Sequence, residues 1–212
     1  MPVRIKMCGL TTEEAIRAAV VAAVDAVGFV FTESPRQVTI DRACALAQGL
    51  PSTILRVAVF HHPDQGQVRQ VIERFTPDLV QTEPGEGAAA VENPLLGLLP
   101  VFHDEEDIVA VASTHWREAG PFRALLLEAS GRGGRGRQPS WDRAKELSRS
   151  VPLVLAGGLA PDNVADAVRQ VHPWGVDVSS GIESAPGVKD PHLISAFVDA
   201  VHAAERTSKQ PR

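Results

Sequence analysis

Short apolar runs alternate with amphipathic segments along the whole chain. Eight such runs occur, each followed by a polar loop or by a segment with helical spacing. The run at 26–31 is almost continuously apolar, as is typical of parallel strands covered on both faces. The runs predict strands at 3–8, 26–31, 54–60, 78–81, 98–102, 123–128, 153–156 and 175–178, with Pro100 counting against a regular central strand at 98–102.

Helices are predicted between the strands from amphipathic spacing and capping residues. Thr12 precedes Glu13 and Glu14, which is typical of a helix start. The stretch at 82–100 contains several prolines and glycines and leaves room for a short helix at most. The other predicted helices cover 12–24, 40–49, 64–75, 105–113, 141–148, 161–171 and 191–204.

This alternation predicts parallel strands joined by right-handed crossovers. Eight strand–helix units in 212 residues favour an α/β fold of the (β/α)8 TIM-barrel type over an open doubly wound sheet. The glycines at 131–136 follow a strand, but they share a loop with arginines and do not open a helix as a dinucleotide fingerprint would. We expect a single barrel domain over 1–205 and a polar tail at 206–212.

The amino-acid composition limits which class of protein the chain can be and which partners it can bind. The chain is 44% apolar and 22% charged, which fits one globular domain with a full core. Its formal charge of −5 argues against nucleic-acid and membrane-surface binding. No run approaches the ~18 apolar residues of a membrane span, and no signal segment opens the chain. Two distant cysteines indicate a reducing cytoplasm. The oligomeric state does not follow from the sequence.

Cys8 stands at the carboxyl end of the first predicted strand, where α/β proteins carry their chemistry. A helix N-terminus beside it would favour the thiolate, so the thiol can be tuned to lose its proton near neutral pH. A small buried core cysteine fits the same spacing. Both interpretations stay open on the pattern alone.

Two glycine-bearing strand ends lie late in the chain, and in a barrel they are neighbours. Their backbone N–H groups can bind a phosphate, as is recurrent after strands seven and eight of such barrels. Tight turns that need glycine are the alternative. Together the two loops predict a phosphorylated small-molecule substrate held by Gly157, Gly158, Ser179, Ser180 and Gly181.

Three charged residues are further candidates for this face of the barrel. Glu128 ends the sixth strand and can be a general acid in a partly dry site, or a solvated strand-end carboxylate. Asp177 can orient a ligand hydroxyl or hold loops together. Arg36 can bind a substrate carboxylate in bidentate fashion, or lie on the surface of a polar loop.

Basic side chains and histidines are candidates for anion binding and metal binding, respectively. The loop after the sixth strand could contact an anion through Gly134, Arg135 and Gly136, and its further arginines could act as a solvated lid. His61, His62 and His103 could suggest a metal, but no carboxylate or cysteine spacing supports one, so we expect none. The arginines concerned are Arg132, Arg135 and Arg137.

Several motifs together make the chain resemble the phosphoribosylanthranilate isomerase family of tryptophan biosynthesis. They span nearly the whole chain in the order found in that family, and the last one is long and specific. The motifs are KMCGLT at 6–11, DAVGFVF at 25–31, SPR at 34–36, VAVF at 57–60, LAGGL at 155–159 and GVDVSSGIESAPGVKD at 175–190.

The resemblance implies a (β/α)8 barrel that catalyses an Amadori rearrangement without metal or cofactor. A general acid opens the furanose ring to a Schiff base, and a general base then removes the C2′ proton. In this resemblance Cys8 matches the base, and Arg36 matches the residue that grips the anthranilate carboxylate. The glycine- and serine-bearing loops at 157–158 and 179–181 match the phosphate site.

Three departures from the family pattern fall on the expected catalytic face. Glu128 stands where the family has an aspartate, and the fourth strand ends in VQTEP at 80–84 where the family has VQLHG. Arg135 replaces a small hydroxyl residue in the sixth loop. Three hypotheses follow: an isomerase of this family with Glu128 as acid, a related barrel isomerase for another phosphorylated aminosugar, or a homologue that binds a phosphorylated ligand with impaired catalysis.

Overall fold

Eight parallel strands close into a barrel in the computed structural model, which describes residues 1–91, 96–118, 124–129 and 138–208. Each strand pairs with its neighbours in sequence, and β1 pairs with β8 to complete the ring. The predicted single (β/α)8 barrel is therefore confirmed. The strands are β1 (Arg4–Cys8), β2 (Ala26–Val30), β3 (Leu55–Val59), β4 (Leu79–Thr82), β5 (Gly97–His103), β6 (Leu125–Glu128), β7 (Leu153–Leu155) and β8 (Gly175–Val178).

A helix follows each strand and covers the outside of the barrel. Thr12, Thr39, Asp64 and Ser140 cap their helices by accepting a hydrogen bond from a backbone N–H one turn later. Among the described residues, no helix is long and apolar enough to cross a lipid bilayer. The helices are α1 (Glu13–Val21), α2 (Ile40–Ala47), α3 (Gln65–Phe75), α4 (Glu86–Ala89), α5 (Ile108–Glu118), α6 (Trp141–Ser148), α7 (Val164–Val171) and α8 (Pro191–Ser208).

The predicted element bounds differ from the observed ones at helix starts and at helix ends. α5 and α7 each begin three residues late because turns precede them. α8 ends at Ser208, so its last turn lies inside the segment expected to be a polar tail. β5 includes Pro100, which pairs with Thr82 of β4. The strand therefore tolerates the loss of one backbone N–H donor at that position.

The interior of the barrel holds two apolar clusters, separate from the larger layer between strands and helices. Side chains alternate along each strand, so every second residue points inward. On β1 the outward positions are the apolar ones, with Ile5 and Met7 in the outer layer, while Lys6 and Cys8 face the interior. The inner clusters are Cys8, Ala26, Val30, Val57, Val59 and Leu79, and Leu99, Val101, Ala124, Leu126, Val154 and Ala156.

A small antiparallel hairpin lies between β8 and α8 and was not predicted. It consists of β9 (Glu183–Ala185) and β10 (Val188–Lys189). Gly187 at its tip has a φ of 82°, and a Cβ there would lie 2.6 Å from the Pro35 carbonyl oxygen. The hairpin therefore packs closely against the loop between β2 and α2, which positions Glu183 next to that loop.

Candidate active site

A cavity of about 450 Å³ opens at the carboxyl end of the barrel, where the predicted site residues were expected. It is lined by the last inward-facing residues of several strands and by the loop after β2. The cavity brings together Cys8, Arg36, Glu128, Asp177 and Ser179, all predicted from the sequence. It is also lined by Gln81, His61 and Glu83, to which sequence reasoning gave no role in this site.

Cys8 is the last residue of β1, and only 8% of its surface is exposed. Gly28 on the neighbouring strand makes room for it, because a Cβ at Gly28 would lie 3.1 Å from the Cys8 Sγ. The Ser179 hydroxyl donates to the Cys8 carbonyl at 3.1 Å, which joins the first and last strand ends. The thiol is both buried and part of the cavity wall.

Charged side chains that sequence reasoning did not assign also act on Cys8. α1 begins at Glu13 with Thr12 as its cap, as predicted, and its effect on the thiol stays a prediction. Burial raises the pKa of Cys8, while the ammonium groups of Lys6 and Lys189 oppose that rise. A thiolate formed here is therefore a strong base, stabilised by the nearby lysines.

Lys6 forms a buried ion pair with Asp177 beneath Cys8. The Lys6 Nζ lies 2.7 Å from the Asp177 Oδ1, and both side chains are less than a tenth exposed, at 6% and 9%. Burial acts to lower the pKa of Lys6, but Asp177 and Cys8 outweigh it and the pKa is raised. Lys6 therefore stays charged beside the thiol. The available sequence signal was its spacing of two residues from Cys8, which puts both on one strand face.

Replacing Lys6 with methionine leaves the Asp177 carboxylate buried without its partner. Breaking one half of a buried ion pair destabilises a protein by about 3–5 kcal/mol, so we expect Lys6→Met to lower the free energy of unfolding in urea by that amount. The double variant Lys6→Met/Asp177→Leu removes both charges and recovers most of the loss. A single variant as stable as the wild type would contradict this prediction.

Arg36 is held in the cavity wall by a carboxylate of its own chain. Its Nε and Nη2 donate to the two oxygens of Glu183 at 2.7 and 2.8 Å, and the Glu183 side chain is only 4% exposed. The Lys189 Nζ binds the same carboxylate at 2.6 Å. One edge of the guanidinium is therefore taken by Glu183, and within the described part of the chain the Nη1 edge is left to meet a ligand.

Glu128 is the last residue of β6 and pairs in register with His103 of β5. The facing Glu83 carboxylate raises the pKa of His103, whose Nε2 lies 3.9 Å from the Glu83 Oε1. Glu128 thus has an imidazole beside it and shares the cavity with Cys8. Both groups of the expected acid–base pair therefore line one site.

Gln81 is a site residue that sequence reasoning missed. It lines the cavity and is 7% exposed, and its Oε1 is a buried acceptor for which the described residues offer no hydrogen-bond donor. A buried acceptor without a donor is uncommon in a folded protein. The signal in the sequence was its inward position on β4, two residues before Glu83.

The two predicted phosphate loops lie against each other. Gly157 and Gly158 have φ values of 88° and 62°, which glycine adopts without strain. The Asn163 side chain donates to the Gly158 carbonyl at 2.8 Å and fixes this loop. A Cβ at Gly181 would overlap the Leu159 carbonyl oxygen, so the loop containing Ser180 and Gly181 packs directly on the first one. Gly134, Arg135, Gly136, Arg132 and Arg137 lie outside the described residues.

Comparisons with known proteins match nearly the whole chain to one family. Residues 5–200 match the family model of N-(5′-phosphoribosyl)anthranilate (PRA) isomerase. A relative of that name from Geobacter sulfurreducens is 42% identical over 92% of this chain and 97% of its own. One from Rhodopseudomonas palustris is 38% identical over 98% of this chain and 100% of its own.

Solved structures agree with this family match. The phosphoribosyl anthranilate isomerase of Thermotoga maritima superposes with a TM-score of 0.84 at 30% identity, covering 95% of this chain and 99% of that one. Another isomerase of that name was solved in complex with reduced 1-(o-carboxyphenylamino)-1-deoxyribulose 5-phosphate. It superposes with a TM-score of 0.78 at 29% identity, with the same two coverages of 95% and 99%.

Proposed function

The chain belongs to the N-(5′-phosphoribosyl)anthranilate isomerase family, and we propose that Cys8 and Glu128 are the general base and general acid of its active site. Its activity is the Amadori rearrangement of N-(5′-phosphoribosyl)anthranilate to 1-(2-carboxyphenylamino)-1-deoxyribulose 5-phosphate in tryptophan biosynthesis. One observation carries the residue assignment: a single cavity is lined by a buried thiol, a carboxyl group and an arginine. The rearrangement requires a base at C2′ and an acid at the furanose ring oxygen, and the thiol and the carboxyl group can fill these roles. The arginine can bind the anthranilate carboxylate.

Glu128 acts first in the proposed reaction, as the acid. Its carboxyl group gives a proton to the furanose ring oxygen while the C1′–O bond breaks. The lone pair of the anthranilate nitrogen forms a double bond to C1′, so the ring opens to a protonated Schiff base. Protonating the leaving oxygen avoids the formation of an alkoxide, which is the usual contribution of a general acid.

Cys8 acts second, as the base. Its thiolate takes the proton from C2′. The electrons of that C–H bond form a C1′–C2′ double bond, and the electrons of the C1′–nitrogen double bond return to the nitrogen as its lone pair. The resulting enolamine then tautomerises to the C2′ ketone. The ammonium groups of Lys6 and Lys189 stabilise the thiolate before the proton transfer and are no longer needed once the thiol is neutral.

The substrate is oriented from its two ends. The anthranilate carboxylate meets Arg36, whose geometry is set by Glu183. The phosphate lies on the backbone of Gly157, Gly158 and the loop at 179–181, where glycines allow close approach. Between them, Asp177 and Gln81 line the cavity and are suited to bind the sugar hydroxyls. In this arrangement the buried acceptor of Gln81 gains a donor from the substrate.

Complementation of a tryptophan auxotroph that lacks this isomerase tests the proposal. We expect the wild-type chain to restore growth and the purified protein to change the fluorescence of the substrate, whereas Cys8→Ala does neither. If the wild type binds a phosphorylated analogue but turns over no substrate, the chain acts on a different phosphorylated aminosugar or has lost catalysis.

Glu183 is proposed as a positioning residue that acts through Arg36. Charge-assisted hydrogen bonds contribute about 1.5–3 kcal/mol, so losing half of this fork should raise KM about tenfold or more in Glu183→Gln while kcat changes little. Steady-state kinetics separate the two constants, and Glu73→Gln on the exposed face of α3 is the matched control. A fall in kcat with an unchanged KM would contradict the positioning role.

A further inference from the structure

Two adjacent histidines and one glutamate converge beside the substrate cavity. The His61 Nδ1 lies 2.6 Å from the Glu83 Oε1, and the His62 Nδ1 lies 3.9 Å from the Glu83 Oε2. One ligand atom from each of the three residues lies within 4.8 Å of the others. Sequence reasoning set a metal aside because it found no carboxylate for these histidines, and the fold supplies that carboxylate from the end of the next strand.

The local backbone is arranged so that both imidazoles reach the same carboxylate. Consecutive residues of an extended chain point to opposite sides, but His62 has a φ of 45°, in the left-handed region. Its backbone N–H also donates to the Glu83 Oε2 at 3.0 Å. The two rings lie 4.4 Å apart as a result. A left-handed conformation is strained outside glycine, and the exposed His62 gains little from its distant ion pair.

The ligand set matches one class of ion. Two imidazole nitrogens and a carboxylate are typical of sites for zinc and related divalent transition metals, which hold ligands at about 2.0–2.2 Å. The Glu83 side chain is 9% exposed and anchored, whereas His61 and His62 are 41% and 70% exposed and free to turn by the small amount required. We propose that His61, His62 and Glu83 form a binding site for a zinc-class divalent metal ion at the rim of the active-site cavity.

The site would influence the neighbouring chemistry through charge. Glu83 and Glu128 line the same cavity, and His103 lies between their strands with its Nε2 3.9 Å from the Glu83 Oε1. A bound divalent cation would add positive charge to this wall and crowd the substrate. We therefore expect binding of the ion to inhibit the isomerisation.

Direct titration tests the site. Metal-free, untagged protein is titrated with Zn²⁺ against a chromophoric chelator, and Co²⁺ binding is followed by its visible absorption. We expect one tight equivalent in the wild type, weakened by at least about tenfold in His62→Ala and in the double variant His61→Ala/His62→Ala. His192→Ala, on α8, is the matched control and should bind like the wild type. Running the titration also in Cys8→Ser separates this site from metal bound by the thiol.

Inhibition provides the second readout. Because His62 does not line the cavity, His62→Ala should keep the wild-type rate without metal and lose its sensitivity to Zn²⁺. Circular dichroism confirms that the variants fold. The proposal is wrong if the wild type takes up no Zn²⁺ or if the double histidine variant binds it as tightly as the wild type.

Discussion

We expect Cys8→Ala to lower kcat for the isomerisation by about 10²–10⁴-fold, the range that a general base contributes. The alanine leaves the cavity otherwise intact, because the sulfur is the only group removed. The rate is measured from the fluorescence change of the purified reaction. Cys44→Ala is the control, since Cys44 lies on α2, outside the cavity, and its activity should equal that of the wild type. A Cys8→Ala enzyme that keeps more than about a tenth of the rate would remove Cys8 from the mechanism.

The pH dependence of kcat/KM gives a second expected result for Cys8. The base acts in its deprotonated form, so a raised pKa moves the rising limb of the profile to higher pH. Burial raises the pKa of Cys8, and we therefore expect kcat/KM to climb through neutrality and to level off only above about pH 8.5, the ordinary range of a free thiol. Lys6→Met removes an opposing charge and should shift the limb further upward. A plateau reached below about pH 7 would contradict this.

Replacing the acid should have an effect of similar size. Glu128→Gln keeps the shape of the side chain but has no proton to give to the ring oxygen, so kcat should fall by about 10²–10⁴-fold. The measurement is again the steady-state rate, with substrate binding checked separately by KM. Near-wild-type turnover in Glu128→Gln would show that another group opens the ring.

Glu128→Asp is the informative companion to that variant. It keeps the carboxyl group but moves it by about 1 Å, and a displacement of this size can change the rate by about 100-fold. Because the family has an aspartate at this position, we expect Glu128→Asp to raise the rate on the family substrate. A fall in rate would mean that the site has been rebuilt around glutamate.

The barrel itself followed from the sequence because it rests on local periodicity. Eight apolar runs with helical segments between them favour a closed barrel, and the alternation needs no knowledge of distant contacts. The same rule placed Cys8 and Glu128 at the carboxyl ends of β1 and β6, and both line the cavity. Their roles as base and acid stay predictions.

What the sequence could not supply were pairings between distant residues. Arg36 and Glu183 are 147 positions apart in the sequence. Glu183 belongs to a short polar hairpin, and such a hairpin has no hydrophobic periodicity from which it could be predicted. On β1 the apolar alternation marks the face toward the helices, so the pattern alone does not show that Lys6 is buried. Glu83 was noted as a departure from the family pattern, but its contact with His61 and His62 depends on how two neighbouring strands end.

The hairpin of β9 and β10 has a consequence for engineering this barrel. Loops on the catalytic face of such barrels are commonly treated as separate modules that can be exchanged one at a time. Here the loop after β2 provides the arginine, while the loop after β8 provides the carboxylate that orients it and the turn that packs on Pro35. A graft that alters substrate preference through either loop must therefore carry the other with it, so the two form one transplantable unit.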